Sequence, residues 1–194
     1  MMHSNTDSHD GSGPRHKVFV SYHRANDQEY RDRFEALFTN IHDIMVLKSV
    51  QIGDIDPSLQ TDTVRQKIRD EYLRDSTVTV VLIGAETWKR KHVDWEIASS
   101  IRDTQHNPRS GLLGILLPTY PKPYNRPNVY GPYSIPPRLY DNIQCDFAEL
   151  YGWSDDPSLV RDWIHEAFQR RDQLKPNNSF ESFTDNRSGN RWWG

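Results

Sequence analysis

Short apolar runs separated by amphipathic stretches repeat through the middle of the chain. Lys17-Val18-Phe19-Val20-Ser21-Tyr22 comes first, and its successive β-branched and aromatic residues mark a strand buried on both faces. Asn26 or Asp27 then offers an N-cap with Glu29 at capping-box spacing, and Tyr30, Phe34, Leu37, Phe38 and Ile41 recur at helical spacing, which predicts an amphipathic helix. Ile44 to Leu47 predicts a second strand, Gly53-Asp54-Ile55-Asp56-Pro57 a loop, and Val64, Ile68 and Tyr72 a second helix. Val78 to Ile83 is the most strand-like segment; Gly84 stops it before a third helix with Val93, Ile97 and Ile101 on one face. Gly111 to Leu117 makes a fourth strand closed by Pro118, and Asp141 to Phe147 a weak fifth. Leu159, Trp163, Ala167 and Phe168 follow Asp155-Asp156-Pro157 as a last helix.

Strand and helix alternate, which predicts an α/β fold of the flavodoxin-like, doubly wound kind. Its five-stranded sheet is mostly parallel, in the order 2-1-3-4-5. From Pro118 to Pro137 the pattern breaks: seven of the twelve prolines and four of the nine tyrosines fall there. Residues 118–140 therefore read as an irregular crossover, with a partner surface as the alternative reading of the same segment. Residues 1–14 and 173–194 are polar and without periodicity, so both ends are expected to be disordered, leaving a single domain over residues 15–172.

Composition narrows the function. The 194 residues carry 24 Lys and Arg against 27 Asp and Glu, a formal charge of -3. That balance lacks the basic footprint of a nucleic-acid binder. The one cysteine, Cys145, makes neither an internal disulfide nor a Cys-based zinc site, and points to a reducing, cytoplasmic setting. The apolar runs are far shorter than the roughly 20 residues that span a bilayer, and the polar start is unlike a secretory signal. The eight histidines are scattered without ligand spacing, so no metal site is expected.

In this fold, ligands bind outside the carboxyl ends of strands 1 and 3, where the strand order reverses. That places candidate chemistry in Ser21-Tyr22-His23-Arg24 and in Gly84-Ala85-Glu86-Thr87-Trp88 with the helix start behind it. Neither loop carries a G-x-G-x-x-G or Walker A phosphate cradle. Gly84 stands where a receiver domain would place its phosphoacceptor aspartate. On the third helix, Glu96 lies about 60° from Val93 and about 100° from Ile97 at 3.6 residues per turn. A carboxylate there leans over the crevice beside strand 1, a placement suited to stabilising an oxocarbenium-like sugar. Helix geometry alone favours the ordinary alternative, a boundary glutamate paired with Arg or Lys.

Val18-Phe19-Val20-Ser21-Tyr22, the run Ser76 to Gly84, and Thr87-Trp88-Lys89-Arg90-Lys91-His92-Val93-Asp94-Trp95-Glu96-Ile97 resemble a TIR domain. More narrowly, they resemble the TIR-like proteins typified by the B subunit of the Thoeris anti-phage system. The similarity runs over roughly residues 16–170. It implies NAD⁺ as substrate, with no separate cofactor, and maps the family glutamate onto Glu96. That group would hold the ribose hydroxyls and stabilise the sugar cation as nicotinamide leaves.

Water, or an atom of the same molecule or of another acceptor, would then capture the cation, giving ADP-ribose, a cyclic isomer or a conjugate. In Thoeris systems such a messenger activates a separate effector, and a phage-derived trigger switches production on. Tyr22, His23 and Arg24 would contact nicotinamide or diphosphate, or else be surface loop residues. Lys89-Arg90-Lys91 sits where a helix dipole disfavours cations, and either meets an anionic ligand or is solvated. The loop with Asp54 and Asp56 covers the nucleotide or mediates self-assembly in TIR proteins, so a homo-oligomer is one expectation; turn formation is the simpler role of the two aspartates. One departure is His92, where many relatives have an aromatic residue. A non-catalytic TIR-like interaction module and a nucleoside deoxyribosyltransferase-like enzyme are the alternative readings.

Overall fold

The computed structural model describes residues 15–47, 60–104, 107–121 and 130–190. Within them run β1 (His16–Ser21), α1 (Arg24–Leu37), β2 (Ile44–Val46), α2 (Thr61–Lys67), β3 (Val78–Ile83), α3 (Lys91–Ser100), β4 (Gly111–Leu116), α4 (Pro137–Gln144), β5 (Ala148–Gly152) and α5 (Pro157–Gln173). The strands lie in the order β2-β1-β3-β4-β5, and every pairing is parallel. This is the doubly wound α/β arrangement that the alternation predicts.

Residue alternation along the strands divides the core in two. Val18 and Val20 of β1, Val78, Val80 and Leu82 of β3, and Leu113 and Ile115 of β4 face α1 and α5, where Phe34, Phe38, Val160, Ile164 and Ala167 meet them. On the other face Val81, Ile83 and Leu112 pack under Val93, Ile97 and Ile101 of α3 and Leu139 of α4. Phe19 packs there too, with Val64, Ile68 and Trp95. Because side chains alternate along a strand, Ser21 projects to the same face as Phe19, toward α3. Past α2 the backbone widens into a π-helix over Ile68–Tyr72. There Leu73 N–H donates to the Ile68 carbonyl at 3.1 Å, which lets two apolar residues five positions apart both face the core.

Several boundaries differ from the sequence reading. The segment Asp141 to Phe147 is not a strand: α4 runs through Gln144, Asp146 turns at φ 61°, and β5 follows at Ala148. Pro137 at the start of α4 supplies the preset φ of a first helical residue, so the proline-rich crossover ends in a helix. Within that crossover Tyr120 is buried, and its hydroxyl accepts from Gly131 N–H at 3.0 Å. α1 begins at Arg24, before the expected caps. Asp27 is kinked (φ -122°, ψ 15°) and caps nothing. Its carboxylate instead turns inward, where it accepts from Thr119 Oγ1 at 3.1 Å and Thr87 Oγ1 at 3.3 Å. The loop with Asp54 and Asp56, residues 1–14, and Trp192 and Trp193 lie outside the described residues.

The segment after α5, expected to be disordered, is ordered through residue 190 and lies across α3 and α4 as a strap. Asn142 Nδ2 donates to the Asn177 carbonyl at 2.7 Å, and Asn178 Nδ2 to the Ala98 carbonyl at 3.0 Å. Trp95 Nε1 donates to the Phe183 carbonyl at 2.8 Å. Beneath the strap, Arg138 and Asp94 form a buried ion pair, with Nε 2.9 Å from Oδ1. Asp94 Oδ2 also accepts from Phe183 N–H at 3.0 Å, and Arg138 Nη1 donates to Asn178 Oδ1 at 2.8 Å. This cover explains why α3 is buried from Val93 to Ser100 and not along one stripe alone. Polar composition suggests a tail, yet here the polar groups satisfy a buried ion pair and helix carbonyls.

Two outcomes follow for stability. Arg138→Leu strands a buried carboxylate and is expected to cost about 3–5 kcal/mol, read by urea unfolding. At Gly84 an added Cβ would stand 2.4 Å from Asp27 Oδ1. Gly84→Ala is therefore expected to cost about 1–3 kcal/mol, and less than additively when combined with Asp27→Ala.

Candidate active site

The carboxyl ends of β1 and β3 bring Ser21 and Gly84 to one edge of the sheet, and α3 places Glu96 above it. Val93 and Ile97 hold one side of the helix on Val81 and Ile83, while Trp95 holds the other on Phe19. Glu96 lies between these two contacts, so its side chain enters the space over the end of β1. There Ser21 Oγ donates to Glu96 Oε2 at 2.5 Å. Glu96 is 3% exposed. Burial pushes its carboxyl up to about 8, and the Ser21 hydrogen bond only partly opposes that. The boundary glutamate paired with Arg or Lys does not form, because the partner of this group is a neutral hydroxyl.

The residues around it follow from the two loops. Tyr22 is buried, and its hydroxyl donates to Gln28 Oε1 at 2.6 Å. One turn before Glu96, His92 Nε2 lies 3.2 Å from the Tyr22 carbonyl and ties the start of α3 to the end of β1. His23 is 8% exposed, with Nδ1 lacking a hydrogen-bond partner. Burial, helped by the Arg90 charge, lowers its pKa to about 4, and burial also lowers that of His92. Both imidazoles are therefore neutral near pH 7. Arg24 opens α1 beside them, half-buried.

Between β3 and α3 a single 3-10 turn, Thr87–Lys89, carries Trp88 with 2% exposure. Thr87 Oγ1 accepts from Gly84 N–H at 2.9 Å and reaches Asp27, which fastens this loop to α1. Lys89 Nζ donates to Glu86 Oε1 at 2.9 Å, and Arg90 Nη2 to Glu86 Oε2 at 3.1 Å. The Lys89 contact, more than any other, holds the Glu86 carboxyl below its usual range. Lys91 Nζ lies 5.3 Å from the centre of the Trp95 ring and donates to the Thr184 carbonyl at 3.4 Å. The basic run is thus engaged by Glu86 and the strap.

All nine predicted site residues, Ser21, Tyr22, His23, Arg24, Gly84, Thr87, Trp88, Lys89 and Glu96, lie in the two loops and helix start that meet at this end of the sheet. Sequence reasoning missed Asp27 and Thr119, because a cap position is the ordinary reading of Asp27. No local signal marks either residue, because the contacts of Asp27 with Gly84, Thr87 and Thr119 cross between loops. Among the described residues no group of three or more His, Cys, Asp or Glu side chains is placed to hold a metal ion, and no helix is long and apolar enough to cross a membrane.

Compared with known families, residues 19–122 match the profile described as Thoeris protein ThsB, TIR-like domain. The chain belongs to this Thoeris TIR-like family. It is accordingly a Thoeris-type defence protein. No curated protein matches the chain. The Thoeris-type match contains every site residue named above together with Asp27 and Thr119, while α4, β5, α5 and the strap lie beyond it.

The raised Glu96 carboxyl has a consequence for stability. Folded, the group holds its proton up to about 8; unfolded, it ionises near 4.5. Between those values the folded state binds more protons, so stability falls as pH rises. Glutamine has no such linkage. The melting temperature of Glu96→Gln is therefore expected to gain on the wild type as pH is raised from about 5 to 8. A constant difference across a thermal-unfolding pH series contradicts the assignment.

Proposed function

We propose that this protein cleaves NAD⁺, releases nicotinamide, and makes an ADP-ribose-derived, cyclic signalling nucleotide that activates a separate effector in anti-phage defence. The observation that carries this reading is the buried Glu96 carboxyl, held by Ser21 at the point where the strand order reverses, in a chain of the Thoeris TIR-like family. As the glycosidic bond breaks, its electron pair leaves with nicotinamide and the ribose C1′ becomes cationic. An ionised Glu96 facing that carbon stabilises the charge in a site of low dielectric. An adenine nitrogen of the same molecule closes the ring, or water attacks and sheds a proton.

Burial keeps most of the Glu96 population protonated at neutral pH. Bound NAD⁺ brings a cationic pyridinium, which stabilises the carboxylate so that the proton is released to water. Tyr22, His23 and Arg24 on one side, and Gly84, Thr87, Trp88 and Lys89 on the other, form the proposed binding walls. Lys89 becomes available to a diphosphate only by giving up Glu86. A phage-derived trigger or self-assembly that reshapes this loop fits such a closed site.

The same closure favours a second reading, a non-catalytic interaction module in which Glu96 is a packing element. The two separate in one assay: nicotinamide release from NAD⁺, with and without a lysate of phage-infected cells, followed by mass spectrometry of the products. Glu96→Gln is expected to keep the fold and lose about two to three orders of magnitude in turnover; unchanged release removes Glu96 from the reaction, and no release by the wild type with the lysate assigns the module. In the wild type, kcat/KM is expected to rise with pH and level off above about 8, where free Glu96 is ionised. The kcat profile is expected to rise at lower pH, because bound pyridinium stabilises the carboxylate.

A further inference from the structure

Helix α3 carries Glu96, yet it supplies no cap for its own start. Its N-cap position is Arg90, whose side chain has no acceptor to offer, and Lys89, Arg90 and Lys91 stand at the positive end of the helix dipole. The acceptor comes instead from the strap, 95 residues on: Asn186 Oδ1 accepts from Lys91 N–H at 3.0 Å. Next to it, Arg187 N–H donates to the Lys89 carbonyl at 2.8 Å. The two bonds bracket Arg90, which is extended (φ -91°, ψ 118°). A single rung of ladder-like pairing therefore joins the strap to the junction between the Thr87–Lys89 turn and α3.

The strap can hold that junction because it is anchored further along α3. Phe183 is buried; its amide donates to Asp94 Oδ2 and its carbonyl accepts from Trp95 Nε1. The Arg187 guanidinium lies 4.2 Å from the centre of the Phe183 ring, which ties the clamp to the anchor. From Thr184 to Asn186 the chain is exposed, so these residues act through hydrogen bonds and not through core packing. On one side of the junction stand Trp88 and Lys89. On the other stands His92, held at the Tyr22 carbonyl, with Glu96 one turn later on Ser21. The spacing between the proposed diphosphate contact and Glu96 thus depends on residues outside both loops.

We propose that Asn186 is a positioning residue of the nucleotide site: by accepting from Lys91 N–H it fixes the first turn of α3 and holds Lys89 and Glu96 at a set spacing. It touches no substrate and acts through the helix start. Its effect on turnover rests on the NAD⁺ reading, whereas its effect on the helix and on the Glu96 carboxyl does not. Asn186 lies beyond residues 19–122 of the family match, so the cap belongs to the strap and not to the matched region.

Asn186→Ala and Asn186→Asp in the full chain test it, because aspartate keeps an acceptor and adds a charge that suits a helix start. Hydrogen exchange at the Lys91 and Asp94 amides, followed by NMR, is expected to speed up about fivefold or more in the alanine variant and to return to the wild-type rate in the aspartate variant. Unchanged exchange in the alanine variant overturns the proposal. Carbon-13 NMR of the Glu96 carboxyl supplies the second readout. Its titration midpoint, about 8 in the wild type, is expected to fall in the alanine variant as water reaches the loosened helix start, and to recover with aspartate; a midpoint that stays in place overturns the positioning role. With NAD⁺ and the infected-cell lysate, kcat/KM is expected to fall about tenfold with alanine and to recover with aspartate, and full activity of the alanine variant overturns that role as well. No release by the wild type overturns the NAD⁺ reading alone, and exchange and titration then decide whether Asn186 positions Glu96.

Discussion

Helix α3 carries two buried carboxylates two positions apart, and the site depends on how differently they are satisfied. Asp94 meets the Arg138 guanidinium and the Phe183 amide, so its charge is paired in place. Among the described residues Glu96 meets only the Ser21 hydroxyl, so its charge is penalised and its proton favoured. The first interaction fixes the helix and the second leaves one group under electrostatic tension. A buried ion pair adds little net stability over apolar packing, but it fixes the rotation of α3, and that rotation decides where Glu96 enters the site.

The strap and the loops make that rotation hard to change. Trp95 is fastened from outside by Phe183 and from inside by Phe19. The helix start is tied to β1 through His92 and the Tyr22 carbonyl. At the same edge Asp27 joins α1 to the loops after β3 and β4 through Thr87 and Thr119. These contacts converge on the end of the sheet where parallel doubly wound folds gather their ligands, and most of them are polar. Polar contacts between loops can exchange partners at modest cost, whereas the packed core beneath cannot.

What was legible in the sequence follows from the range of the signals. Strands buried on both faces write themselves as apolar runs, so β1, β3 and β4 and the strand order needed no tertiary information. Ser21 and Glu96 were reachable from alternation, helical period and family resemblance. The α4 and β5 boundaries slipped because α4 is short and amphipathic, and because Asp146 turns the chain where composition alone reads a strand. The strap was illegible for a stronger reason: its Asn177, Asn178 and Ser182 are surface-type residues whose partners, Asn142, Ala98 and Arg138, are distant in sequence. Asp27 failed in the same way, its role being set by Gly84 and Thr119 on other strands' loops.

Strand β1 links the two ends of the molecule. It begins at His16, whose buried ring packs against His165 and Phe168 of α5, and ends at Ser21, whose hydroxyl is the partner of Glu96. Five residues of extended chain separate them, roughly 16 Å. Its neighbour β3 repeats the arrangement, with Ser76 and Thr77 just before its start and Gly84 just past its end at the other loop. β1 is hydrogen-bonded to β2 on one side and to β3 on the other, which holds the two ends at a fixed separation. Ser21 is in register with Val81 of β3, so the hydroxyl that partners Glu96 is positioned by the packed sheet, and its placement sets the proton affinity of that carboxyl.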